Sequence, residues 1–277
     1  MEELDFTGAS RPSKSAIYDP SVARKCFEAL GEVERIQPGG NFFIENQNSD
    51  RMYYLVEGEV SLVHGKKVLD VVKAGEIFGE MAAIGRHPRS ATAAARTACR
   101  ALSLDTRQFR SSIQRTPEFA LMLMNIIINR LRLNEALTAG KAPPGVGALR
   151  ERVFDAKTLS ELMAALDHRL PAHAHLNKVI LKEGEGGVFM YVVVEGRVAI
   201  SVGSRIEARI GPGGIFGEMA LVDQSSRAAT VTAETDCSLL SINRNDFLTL
   251  VKSRPDIAVS LFKSAADRIR YMTSHRK

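Results

Sequence analysis

The sequence reads Gly75-Glu-Ile-Phe-Gly-Glu-Met-Ala-Ala-Ile-Gly-Arg-His-Pro-Arg-Ser-Ala-Thr92, and 138 residues later it reads Gly213-Gly-Ile-Phe-Gly-Glu-Met-Ala-Leu-Val-Asp-Gln-Ser-Ser-Arg-Ala-Ala-Thr230. We call each copy a cassette. The same offset holds without a gap well outside the cassettes. Duplication at this long period indicates two copies of one domain rather than a solenoid of short repeats. Identical pairs outside the cassettes include Glu45 and Glu183, Tyr53 and Tyr191, Gly58 and Gly196, Cys99 and Cys237, Phe109 and Phe247, and Pro117 and Pro255.

The composition is that of an ordinary globular protein. A length of 277 residues suits about two domains, and 45% apolar and 25% charged residues are typical values. The net charge of +5 comes without a dense Lys/Arg run, which argues against a nucleic-acid partner. The three cysteines, Cys26, Cys99 and Cys237, form no disulfide framework, so we expect a reducing, cytoplasmic location. No apolar stretch approaches the roughly 18 residues of a membrane span.

Short β-rich runs separated by glycine turns follow one another from Val33 to Leu104. This pattern predicts an antiparallel jelly roll. A short helix is predicted before it, at Ser21–Leu30, and one continuous helix after it, over Thr106–Leu137. The second copy repeats the order. The predicted fold class is therefore α+β, mainly β, with two tandem antiparallel β-roll domains, each flanked by N-terminal and C-terminal helices.

The predicted domain limits follow from the composition along the chain. Residues 1–20 have little apolar pattern and are predicted to be a loose tail. Two prolines and three glycines within nine positions predict a linker at 139–148, because they cannot continue a helix. The two domains are then expected at 21–138 and 149–277.

The cassette combines residues that suit a sugar phosphate. The segment after Phe-Gly is predicted to open a short helix, whose first amides can hold an anion. Arg89 and Arg227 follow the cassette glutamates by nine residues, and a guanidinium can pair with two phosphate oxygens. A carboxylate beside an anion site needs another partner, and a sugar hydroxyl is one. Glu80 and Glu218 are the candidates.

The motif Phe-Gly-Glu-(aliphatic)-Ala…Arg-(small)-Ala-Thr resembles the phosphate-binding cassette of the cyclic nucleotide-binding domain family. The resemblance covers roughly 35–137 and 177–271, and both copies keep the glutamate and the arginine. It implies an eight-stranded β-roll with hinge helices B and C, and cyclic AMP or cyclic GMP as the ligand, with no metal. A lone Glu…Arg pair at this spacing is usually a salt bridge. Here the pair lies inside a full cassette and occurs twice.

The resemblance also implies roles for individual residues. Glu80 and Glu218 would hold the ribose 2′-hydroxyl, and Arg89 and Arg227 would pair with the cyclic phosphate. The backbone amides that would line the phosphate belong to Gly79, Ala82 and Ser90 in the first site and to Gly217, Ala220 and Ala228 in the second. The apolar positions that would face the purine are Val60 and Val72 in the first site and Val198 and Ile210 in the second.

The identity of the base is less determined by the sequence. In the resembling family, alanine after the cassette arginine goes with cyclic AMP, so Ala228 makes the second site look like a cyclic AMP site. Ser90 leaves the first site open to either nucleotide. Helix C would bring Asn134 towards the first base. Tyr271 would either stack on the second purine or pack on its own β-roll.

The predicted function is a non-enzymatic cyclic nucleotide sensor that transmits a conformational change to an effector protein. No nucleophile–base constellation stands out. His168, His173 and His175 lack partners at ligand spacing and are assigned to surface or packing roles. The alternatives are a cyclic nucleotide-responsive DNA-binding regulator and a nucleotide buffer without a partner. The apolar face of the predicted closing helix, at Leu121, Met124, Ile128 and Leu131, must be buried, either within the chain or in a homodimer.

Overall fold

The computed structural model describes residues 18–138, 152–221 and 226–274, and at 130–138, 220 and 270–274 it describes the backbone. The predicted tail and linker lie outside these residues. By its contacts the chain divides into two compact units. One consists of Met1–Leu131 and Phe262–Arg270, and the other of Arg132–Leu261 and Tyr271–Lys277.

Each repeat contains eight strands arranged in two four-stranded antiparallel sheets, which confirms the predicted fold class. In the first repeat the sheet orders are β1-β8-β3-β6 and β2-β7-β4-β5, and in the second they are β9-β16-β11-β14 and β10-β15-β12-β13. The strands of the first repeat are β1 Glu32–Ile36, β2 Asn41–Phe43, β3 Met52–Glu57, β4 Glu59–His64, β5 Lys67–Lys73, β6 Ile77–Phe78, β7 Thr92–Ala95 and β8 Cys99–Leu104. Those of the second are β9 Ala172–Ala174, β10 Val179–Leu181, β11 Met190–Glu195, β12 Val198–Val202, β13 Arg205–Ile210, β14 Ile215–Phe216, β15 Thr230–Ala233 and β16 Cys237–Ile242.

The two repeats also share their irregularities. The β3–β8 register shifts between Leu55 and Glu57, and the β11–β16 register shifts between Val193 and Glu195. These positions are equivalent in the two copies. Because a bulge re-aims the side chains that follow it, its recurrence means that both repeats direct the same positions inward.

Each repeat has its own apolar core between its two sheets. Tyr53 stacks on Phe78 with ring centroids 5.0 Å apart, and Tyr191 stacks on Phe216 at 5.2 Å. Such pairs stabilise a core beyond their buried area. All three cysteines are free and buried, as core residues are. The first core contains Phe42, Phe43, Tyr53, Leu55, Val60, Val72, Phe78, Ala93, Ala95, Cys99 and Ala101, and the second contains Ala174, Val193, Val198, Ile200, Ile210, Phe216, Val231, Ala233, Cys237 and Leu239.

The closing segment of each repeat is two helices, so the prediction of one continuous helix over Thr106–Leu137 was wrong. The break falls at Thr116, which has φ −132° and ψ 68°, because the following Pro117 disfavours helical backbone in the residue before it. Arg254 breaks the second copy in the same way before Pro255. The helices are α1 Pro20–Glu28, α2 Glu80–Gly85, α3 Thr106–Arg115, α4 Pro117–Thr138, α5 Ala156–Ala165, α6 Arg244–Ser253 and α7 Pro255–Ser274, with a 3-10 helix at Glu218–Leu221.

Helix α4 is apolar on every side along its first half. Ten consecutive side chains from Phe119 to Ile128 are buried, which is typical of a helix enclosed by protein. Leu121, Met124 and Ile128 are among them, so this face is covered within one chain. The Leu131 side chain lies outside the described residues.

Candidate functional site

Each cassette turns from its last short strand into a helical turn at a glycine. Gly79 has φ 72° and Gly217 has φ 71°, a left-handed conformation that favours glycine. A Cβ at Gly79 would lie 2.8 Å from Nη1 of Arg89, and one at Gly217 would lie 2.9 Å from Nη1 of Arg227. The missing side chains therefore let the arginines lie against the backbone. Helix α2 and the 3-10 helix align few peptide dipoles, so the arginine carries most of the positive charge.

Arg89 is enclosed by neutral partners. Its side chain is 1% exposed. Nη1 donates to the carbonyl of Gly79 at 2.6 Å, and Nη2 donates to Oγ of Ser49 at 2.9 Å and to the carbonyl of Arg51. The Phe43 ring lies 4.0 Å from Cζ, within cation–π range. The guanidinium is therefore held in one orientation.

Arg227 occupies the equivalent place with fewer partners. It is 9% exposed. Nη1 donates to the carbonyl of Gly217 at 3.1 Å and Nη2 to the carbonyl of Phe189 at 2.9 Å. Among the described residues, these two carbonyls are its hydrogen-bond acceptors.

The Nε atoms of both arginines are buried and have no hydrogen-bond partner among the described residues. A buried donor without an acceptor costs about 1–3 kcal/mol. The same atom is left in this state in both repeats. Because a guanidinium pairs with an anion through two neighbouring N–H groups, an oxyanion is the ligand that would satisfy it.

The cassette glutamates accompany the arginines into the protein. Glu80 is 4% exposed and Glu218 is 9% exposed. Burial lowers the pKa of both arginines, and acidic neighbours that include Glu80 in the first site and Glu218 in the second act in the opposite direction. Each site thus combines a buried cation with a buried carboxylate, as a ligand with both a phosphate and a hydroxyl requires.

Two further glutamates that recur in register clamp a hairpin beside each cassette. Oε2 of Glu45 accepts from the Gly65 amide at 3.0 Å, and Oε2 of Glu183 accepts from the Gly203 amide at 3.0 Å. In the first repeat His64 also contacts Glu45, with Nδ1 3.0 Å from Oε1. These glutamates hold backbone turns and are not part of the arginine cluster.

The other predicted site residues fall into three groups. Ala82 lies in helix α2, and Ser90 and Ala228 are exposed next to the arginines. Val60, Val72, Val198 and Ile210 are 0–1% exposed and lie in the cores, where Val60 pairs with Val72 and Val198 with Ile210. Asn134, Ala220 and Tyr271 lie in helical turns, but their side chains are outside the described residues.

Sequence reasoning missed the residues that surround the arginine side chains. Ser49, Phe43 and the carbonyls of Arg51 and Phe189 come from strands and loops about forty residues upstream, outside the cassette motif. Carbonyl contacts leave no mark in a sequence. The one available signal was Gly186-Gly187, a glycine pair in the second copy where the first has Asn48-Ser49.

Residues 33–116 and 172–254 match the family model of the cyclic nucleotide-binding domain. The chain therefore belongs to this family and contains two copies of the domain, which confirms the resemblance drawn from the cassettes.

The curated relatives match parts of larger proteins. A cyclic nucleotide-gated potassium channel of Mesorhizobium japonicum is 44% identical over 111 residues, which are 40% of this chain and 30% of the channel. A cAMP-dependent protein kinase regulatory subunit of Dictyostelium discoideum is 26% identical over 233 residues, which are 79% of this chain and 65% of that protein. The chain thus spans between a third and two thirds of the length of these relatives.

Solved structures with a similar fold include two described as follows. The regulatory domain of Toxoplasma gondii PKA with cAMP is 18% identical, with 92% of this chain and 97% of that chain covered and a TM-score of 0.33. The Thermus thermophilus catabolite activator protein is 32% identical over 43% of this chain and 58% of that one, with a TM-score of 0.38.

Two other kinds of site were searched for in the described part of the chain. No group of three or more His, Cys, Asp or Glu residues there is arranged to hold a metal ion. None of the described helices has the length and apolar character needed to cross a membrane.

Proposed function

We propose that this chain is a non-enzymatic cyclic nucleotide sensor with two binding sites. Arg89 and Arg227 pair with the cyclic phosphate, and Glu80 and Glu218 accept from the ribose 2′-hydroxyl. The observation that carries the proposal is the pair of buried, unpartnered Nε donors at equivalent positions. Membership of the cyclic nucleotide-binding domain family makes a cyclic phosphate the oxyanion of choice.

The proposed phosphate cradle includes the backbone amides of each cassette. Those of Gly79, Ala82 and Ser90 serve the first site, and those of Gly217, Ala220 and Ala228 serve the second. We assign cyclic AMP to the second site on Ala228, and cyclic AMP or cyclic GMP to the first. The proposed base contacts are Val60, Val72 and Asn134 in the first site and Val198, Ile210 and Tyr271 in the second.

The proposed output is a ligand-driven conformational change passed to an effector protein. The relatives named as a kinase regulatory subunit and a gated channel support this, since each name couples cyclic nucleotide binding to a second activity. Co-purification from the native host with and without cyclic AMP tests it. A protein captured in only one of the two conditions is expected, and capture of none in either condition would favour the nucleotide buffer.

Calorimetry on ligand-stripped protein tests binding directly. Cyclic AMP is expected to bind at two sites per chain. Arg89→Ala should weaken the first site and Arg227→Ala the second, each about ten- to hundredfold, because each removes a charge-assisted pair worth roughly 1.5–3 kcal/mol. The matched control is Arg107→Ala, which removes an exposed arginine from helix α3.

Two results would contradict the proposal. One is the absence of heat with both cyclic AMP and cyclic GMP. The other is wild-type affinity in the chain that carries both substitutions. Measuring the mass of the wild-type chain with and without nucleotide tests the predicted homodimer separately.

A further inference from the structure

The two arginines differ at one neighbouring position. Ser49 and Gly187 are equivalent residues of the two repeats. Oγ of Ser49 accepts from Nη2 of Arg89 at 2.9 Å. A Cβ at Gly187 would lie 2.1 Å from Nη2 of Arg227 and 2.6 Å from its Cζ and Nε. The first site thus uses a side chain to hold its arginine, and the second site has room for its arginine only because that side chain is missing.

A second neighbour differs in the same sense. The Phe43 ring lies 4.0 Å from Cζ of Arg89, and the equivalent residue of the second repeat is Leu181. An aromatic face attracts a guanidinium, whereas an aliphatic side chain does not. Arg89 is therefore fixed by two carbonyls, a hydroxyl and a ring, and Arg227 by two carbonyls.

We propose that Ser49 and Gly187 are positioning residues that make the two sites unequal, with the first binding cyclic phosphate more tightly. This rests on the proposed function. A donor that is already fixed in its binding orientation loses less freedom when the phosphate arrives, which favours Arg89. Arg227 has fewer restraints and must be ordered by the ligand. Glycine at 187 is needed so that Arg227 can reach the carbonyls of Gly217 and Phe189.

The test compares single-site forms of the full chain, with cyclic AMP as the probe. Arg227→Ala leaves the first site and Arg89→Ala leaves the second. We expect the first site to bind about tenfold more tightly. Equal affinities, or a tighter second site, would overturn the inference while leaving the proposed function intact. Failure of every form to bind, the wild type included, would remove the proposed function and the inference with it.

The first-site arm changes Ser49 in the Arg227→Ala chain. Ser49→Ala removes the hydroxyl and should weaken cyclic AMP binding about three- to tenfold. Ser49→Thr keeps a hydroxyl and should restore most of the affinity. A merely structural role for Ser49 would change the melting temperature of the ligand-free chain without this pattern in affinity. Equal affinities for the alanine and threonine variants would contradict the assignment of Ser49.

The second-site arm changes Gly187 in the Arg89→Ala chain. Gly187→Ala should weaken binding at least about tenfold, because the new Cβ displaces the guanidinium. Gly186→Ala is the matched control, since a Cβ at Gly186 has no heavy atom within 4 Å. Neither glycine has a positive φ, so contact rather than backbone strain separates the two variants. Equal binding by both would contradict the role of Gly187. If Gly187→Ala fails to fold, the affinity ratio and the Ser49 arm decide.

Discussion

Single residues that recur in register perform the same physical task in both repeats. Gly58 has φ 94° and Gly196 has φ 85°, each at the corner between two strands. A Cβ at Gly58 would lie 2.6 Å from the carbonyl oxygen of Ala98, and one at Gly196 would lie 2.2 Å from that of Asp236. Backbone conformation and close approach together explain why both corners are glycine.

At residue scale we predict that Gly58→Ala destabilises the first repeat more than Gly39→Ala does. Both glycines have positive φ, but a Cβ at Gly39 meets nothing within 4 Å. The difference is expected to be about 1–3 kcal/mol in the free energy of unfolding, the usual cost of overpacking. Urea denaturation of the two variants measures it. Equal unfolding free energies would show that the corner can relax around the new methyl group.

The phenol of Tyr53 gives a prediction about alkaline pH. Burial raises its pKa from 10.0 to about 12, with a further contribution from the Glu34 carboxylate. The folded chain therefore holds this proton more tightly than the unfolded chain. The resulting stability is fully present below pH 10 and is lost as the pH rises through about 12.

Tyr53→Phe should accordingly flatten the loss of unfolding free energy across this pH range, while changing stability little at neutral pH. Thermal melting of wild type and variant at a series of pH values measures it. Parallel curves above pH 10 would mean that the phenol of Tyr53 does not control this loss.

At the scale of elements, polar caps and prolines set the helix limits. Helix α3 begins with a capping box, in which Oδ1 of Asp105 accepts from the Gln108 amide at 2.7 Å and Oε1 of Gln108 accepts from the Asp105 amide at 2.8 Å. Helix α6 has the same arrangement with a different pair, Asn243 and Asp246. The repeats have therefore kept the cap while changing the residues that form it.

Removal of this cap should destabilise the first repeat. Asp105→Ala is expected to cost about 1 kcal/mol, because the Gln108 amide loses its acceptor. Asp105→Ser keeps an oxygen at the cap and should lose only a fraction of that. Unfolding free energies in urea distinguish the two variants. If serine were as destabilising as alanine, the charge of Asp105 rather than its hydrogen bond would be responsible.

For the whole molecule, the proposed binding predicts stabilisation by mass action. Cyclic AMP at about one hundred times the dissociation constant should add roughly 2.7 kcal/mol per site that binds only the folded state. The melting temperature should rise with nucleotide concentration in the wild type, and rise less in either single arginine variant. The chain with both Arg89→Ala and Arg227→Ala should show no rise. A full rise in that chain would place binding elsewhere in the protein.

Much of the fold and of the candidate site follows from the sequence by itself. The register of the repeat, the glycine corners and the cassette motif are local or periodic properties, so they predicted two β-rolls, the family and the four charged residues at the centre of the sites. Turn glycines act through φ, and strands and helices through side-chain period, and both can be read along a chain.

The tertiary structure decided what depends on residues distant in sequence. The hydroxyl of Ser49, the ring of Phe43 and two backbone carbonyls reach the arginines from about forty residues away. The helix break at Thr116 was decided by the local effect of Pro117 over a continuous apolar pattern. The sequence therefore determined which groups bind, because charge and motif are local, and the fold determined how firmly each is held, because enclosure depends on what packs around it.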